Sequence, residues 1–142
     1  MNGWTLKVFA IAFFIFIVTD MIWLGFIARN LYFDQYQQWL RLSEGQLKPI
    51  WWSALLVYLL FALSIVVFVI PLAKTSLPYA ALYGALLGAI IYGIYDFTCL
   101  AIFKDFPVGM AFLDWLWGIV LCSWSSIATI YMAGYLACIP TQ

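Results

Sequence analysis

The chain has 142 residues, of which 68% are apolar, 20% aromatic and only 8% charged, against about 25% charged in an ordinary soluble domain. This excludes a soluble globular fold, and a formal net charge of zero with no basic cluster excludes an electrostatic footprint for nucleic acid. With no histidine, the commonest metal ligand and the usual general base are missing.

A spanning helix needs about 20 mainly apolar residues, and the first run that qualifies extends from about Trp4 to Ile27. Lys7 gives it the start of a signal peptide. The run nevertheless continues well past an apolar core of roughly 7 to 15 residues and ends in IWLGFIARN without a small-x-small cleavage site, so a retained helix is expected.

The connection from Asn30 to Lys48 is of a different kind. Tyr32, Tyr36, Trp39 and Leu40 recur at three- and four-residue spacing among Asp34, Gln35, Gln37, Gln38 and Arg41. That pattern predicts an amphipathic helix within Leu31 to Leu42, lying at the membrane interface with its aromatic residues toward lipid or the bundle.

Three further spans follow, at about Ile50 to Ala73, Tyr79 to Phe103 and Val108 to Leu136. Pro49, Pro71, Pro78, Pro107 and Pro140 fall at or near the ends of the runs, where helices tolerate them. The remaining connections are short, so the chain is expected to be one transmembrane domain: an all-α, antiparallel four-helix bundle running up-down-up-down. Gly84 and Gly88 stand at GxxxG spacing in the third span, allowing close approach to another helix of this chain or of a second copy in a homo-oligomer.

Cys99, Cys122 and Cys138 show no ligand spacing and read as small apolar fillers. No cofactor is identifiable from the sequence. Arg29, Arg41, Lys48 and Lys104 lie on the side of loops one and three, against Lys7 and Lys74 on the other, so the positive-inside rule predicts cytoplasmic loops one and three and external termini.

Three acids interrupt these spans. Asp20 lies seven residues before the end of the first and Asp96 seven before the end of the third, while Asp114 lies six after the start of the fourth. At about 1.5 Å per residue, antiparallel packing sets all three carboxyls roughly 10 Å below the same membrane face. Trp23 and Trp117 each follow an acid by three residues, on its helical face, and Tyr92, Tyr95, Thr98 and Cys99 surround Asp96. A membrane-buried acid costs about 2.5 to 3.5 kcal/mol on insertion scales. Three together cannot all remain charged, so a proton, a cation or water is expected among them.

The combination D-x-x-W-L-G in the first span, Y-G-x-Y-D-x-T-x-L-A in the third and D-x-x-W-G in the fourth resembles a family of predicted bacterial membrane proteins catalogued as domain of unknown function 2177. Asp20, Trp23, Leu24 and Gly25 match its first motif, Tyr95, Asp96 and Thr98 its second, and Asp114, Trp117 and Gly118 its third. Where the family usually has Asn after the Thr, this chain has Cys99, so no polar role carries over to that position. The resemblance implies a four-helix protein of the inner membrane and no established activity.

The leading functional expectation is a small transporter whose acids, rimmed by Trp23, Trp117, Tyr92, Tyr95 and Thr98, bind a proton, a metal ion or an organic cation. A non-catalytic membrane assembly protein is the alternative. An intramembrane aspartyl-type hydrolase is a weaker one, since paired aspartates are present but the GxGD signature is not.

Overall fold

The computed structural model describes residues 3–136. Cys138 and Pro140 lie outside the described residues. Inside hydrocarbon a chain must satisfy its own N–H and C=O groups, and the four apolar runs do so as helices long enough to cross a membrane: Gly3–Ile27, Trp51–Ala73, Leu77–Ile102 and Val108–Tyr135. Extended residues precede the last three, namely Ile50, Ser76 and Pro107. The third span begins two residues before the expected Tyr79 because Pro78 belongs to its first turn, where a fixed φ and a missing N–H carry no penalty.

Two spans contain a widened π turn. In the second span Ile65–Val69 leads into Pro71; proline has no N–H to give and its ring crowds the carbonyl four residues back, which the wider turn relieves. In the first span Trp23–Ile27 is wound the same way without a proline, starting three residues after Asp20, and Ala28 N–H closes it onto Trp23 O at 2.8 Å.

The third and fourth spans form the most extensive helix pair, and glycine lets them approach. A Cβ on Gly88 would lie 2.2 Å from the carbonyl oxygen of Gly118, and one on Gly84 would lie 2.6 Å from that of Cys122. The GxxxG face is therefore filled within the chain, and a second copy could use Gly84 and Gly88 only by opening this packing. Trp115 Nε1 donates to Ala89 O at 2.9 Å and Ser123 Oγ to Ala81 O at 3.0 Å across the same seam.

The first span packs on the second and fourth through Val8, Ala12 and Phe16, spaced four apart and all fully buried. Phe16 stacks on Phe61 of the second span with centroids 4.4 Å apart. With Ile65, Val69, Leu121 and Ala133 these residues form one apolar core.

The first loop departs from the expected single helix. Its helix runs only from Arg29 to Tyr36, followed by turns and a small hairpin pairing Leu42 with Leu47 and Ser43 with Gln46. Glu44 and Gly45, at φ 53 and 74, make the two-residue turn. Both positions need positive φ to match the twist of the strands, and the dipeptide Glu-Gly is the local signal for that hairpin. Tyr36 and Trp39 pack on Phe106 of the third loop, each with centroids 5.4 Å away. The aromatic stripe thus faces the bundle and joins loops one and three.

Candidate functional site

Asp20, with 7% of its surface exposed, accepts two hydrogen bonds from other spans. Tyr58 Oη donates to its Oδ2 at 2.8 Å and Trp117 Nε1 to its Oδ1 at 3.1 Å. Tyr58 lies seven residues after the start of the second span, which sets it at the depth of the acids. Trp117 stacks face to face on Trp23, centroids 4.1 Å apart and planes 9° from parallel.

Asp114 is held from above. The hydroxyl of Tyr32, on the loop helix, donates to its Oδ1, and Trp23 Nε1 points at the same hydroxyl from 3.4 Å. Burial, and then the charge of Asp114, raises the Tyr32 phenol above its ordinary range, so it stays a donor. Burial and Asp114 act on Tyr36 in the same direction.

Asp96 differs from both. It is 0% exposed, and among the described residues neither carboxyl oxygen finds a hydrogen-bond partner. The carboxyl beside it is that of Asp114, an acceptor like itself when ionised, so the two can bond to each other only by holding a proton between them. More than 90% of buried polar groups in proteins are partnered, so this is an acid whose charge nothing in the described chain offsets.

A cavity of about 350 Å³ opens over this cluster. Asp20 and Asp114 form part of its wall together with Trp117, Tyr92 and Tyr95, and Tyr32 and Tyr36 come down from the loop. Asp96 is fully buried and does not line this cavity. Nor does Trp23, which supports Trp117 from behind. Thr98 is exposed on the far side of its helix, two residues from Asp96 and so about 200° around the axis. It does not reach the site. Among the described residues no three His, Cys, Asp or Glu side chains come together to hold a metal ion.

Arg29 also lines the cavity, its guanidinium 5.7 Å from the Phe33 ring. Residues 29, 32, 33 and 36 share one face of the loop helix, which brings the exposed Arg29 to the same cavity wall as the acids. Tyr58, Tyr32 and Arg29 are the site residues that motif reading missed. For Tyr58 the signal was depth, and for the other two it was the three-residue spacing on the loop helix.

A family model described as a predicted membrane protein, domain of unknown function 2177, matches residues 5–131. The chain belongs to this family. Neither the curated proteins nor the solved structures provide a match. The match covers all three acids, Tyr58 and the loop helix, so the cavity and that helix lie within the family's own extent.

Proposed function

We propose that this multi-pass membrane protein is a small carrier whose acidic, aromatic cavity takes up a proton or an organic cation. The observation behind the reading is Asp96: a carboxyl with no exposed surface and no donor, beside a second carboxyl. A buried carboxylate without a partner costs several kcal/mol, and a proton or cation supplies what the described chain does not. The indole of Trp117 and the phenols of Tyr92 and Tyr95 offer π faces to the same charge. A metal ion is disfavoured because the acids do not converge as ligands.

In this reading the protein sits in the bacterial inner membrane with the cavity toward the cytoplasm, following the excess of basic residues beside loops one and three. The loop helix then lies at headgroup level over the site. A cation held at the cavity wall by Asp20 and Asp114 would displace a proton from the Asp96–Asp114 pair, since cation and proton compete for the same carboxyls. The test is thermal unfolding of the purified protein with and without methylammonium. Stabilisation by methylammonium that disappears in Asp96→Asn and Asp114→Asn supports the carrier; no stabilisation of the parent protein overturns it.

A further inference from the structure

Taking the cation site as given, we infer that its ligand is a zwitterion: a primary ammonium joined through a short linker to a phosphate, the ammonium between Asp20 and Asp114 and the phosphate on Arg29. A cavity built for a bare cation would not carry a guanidinium in its wall, because like charges repel across a low-dielectric space. Arg29 nevertheless lines the same 350 Å³ as the two acids. Among the described residues its contact is the face of Phe33, and no ion pair engages it. The cavity therefore offers one uncompensated positive group, Arg29, and two acids, Asp20 and Asp114, the second of them beside the buried Asp96.

The loop helix fixes the spacing. Arg29 precedes Tyr32 by three residues on one face, and Tyr32 is hydrogen-bonded to Asp114. Arg29 and Tyr32 are thus offset by about one helical turn, roughly 5 Å along the helix, which sets the guanidinium and the Asp114 contact on the same wall. A short linker between ammonium and phosphate lets one molecule reach both groups on the wall of this cavity, and the planar fork of arginine matches phosphate bidentately.

Ammonium type follows from the acceptors. Oδ1 of Asp20 takes only Trp117, its Oδ2 takes only Tyr58, and the Tyr32 hydroxyl meets Asp114 at Oδ1. Carboxylate oxygens with remaining lone pairs ask for N–H donors, which a primary ammonium has and a quaternary one lacks. Leu24, Leu40 and Leu47 complete the wall nearest the loop, an apolar border that would accept the first carbons of an acyl chain if the zwitterion is a lipid headgroup.

The experiment is calorimetric titration of the delipidated protein in detergent with methylammonium, glycerophosphoethanolamine, and the dihexanoyl forms of phosphatidylethanolamine and phosphatidylglycerol. Glycerophosphoethanolamine is expected to bind about tenfold more tightly than methylammonium, through the added charge-assisted contact. Arg29→Gln should weaken glycerophosphoethanolamine and tighten methylammonium, opposite shifts that a general loss of structure does not produce, while Arg29→Lys should restore part of the difference. Equal affinity of the parent protein for the two amines overturns the zwitterion, as does an Arg29→Gln change that moves both in one direction, or phosphatidylglycerol binding as well as phosphatidylethanolamine. Tighter binding of dihexanoyl phosphatidylethanolamine than of glycerophosphoethanolamine identifies a lipid source, and equal binding a soluble one. Failure of methylammonium to bind at all counts against the cation site itself and is thereby distinguished from failure of the phosphate subsite.

Discussion

The two ends of the bundle are built on different rules. Toward loop two, the buried side chains of the first three spans are Val8, Ala12, Val69, Ile70, Ala73 and Ala80, and the hydroxyls of Ser126 and Thr129 fold back onto carbonyls of their own helix. Ser125 is the exception, buried without a partner among the described residues. Toward loops one and three, aspartates, phenols and indoles take over, with a cavity above them. The boundary is one helical turn thick, from Phe16 to Asp20. The first end is held mainly by packing, with the Ser123–Ala81 hydrogen bond beside it. The second accepts buried acids that packing does not require, and the carrier proposed above would work at that end.

The largest effect should come from the boundary. Phe16 is fully buried and stacked on Phe61, so Phe16→Ala is expected to cost about 3 to 5 kcal/mol in reversible unfolding in detergent. A cost under about 1 kcal/mol would mean that the apolar end does not carry the fold.

Asp96→Asn should behave in the opposite way. The amide removes a buried, unpartnered carboxyl, so stability is expected to hold or rise by about 1 to 2 kcal/mol while the response to methylammonium is lost. A loss comparable with Phe16→Ala would make Asp96 a structural element and erase the contrast between the ends.

Tyr58→Phe removes one donor to Asp20 and leaves the Trp117 bond in place. The expected cost is about 0.6 kcal/mol, the mean for such bonds in a membrane bundle. A much larger loss would show Asp20 to be the structural centre of the working end.

The smallest effect concerns pH. Because the Tyr32 phenol is held above its ordinary value of 10.0 when folded, its stabilisation is complete below that value and declines as pH rises from there toward the folded value. Melting temperatures followed from pH 8 upward should fall beyond about pH 10, and fall less steeply in Tyr32→Phe. Parallel curves would mean that the docking of the loop helix does not depend on this phenol.

The helical architecture was legible because hydropathy and proline placement act along one dimension, and a run such as Tyr79 to Phe103 needs nothing from its neighbours to be read as a helix. The acids were legible as a group because depth in an antiparallel bundle is arithmetic on sequence number. What escaped were features set by side-chain direction. Depth cannot tell that Asp96 is sealed in while Asp20 lines the cavity, or that Thr98 points away. The Arg29–Tyr36 helix looked longer because its aromatic spacing continues to Trp39, and the Glu44–Gly45 turn that ends the pattern is only two residues long. Tyr58 was hidden by its composition: one phenol in WWSALLVYLLFALS reads as an ordinary apolar residue until its partner is known.

The central claim is that the Asp96–Asp114 pair exchanges a proton for a cation. It is tested most directly by adding methylammonium to the purified protein in weakly buffered detergent solution and recording protons released with a pH indicator. The account predicts saturable release from the parent protein, none from Asp96→Asn, and retained release from Tyr58→Phe. Release that is absent from the parent protein, or equal in Asp96→Asn, would contradict it.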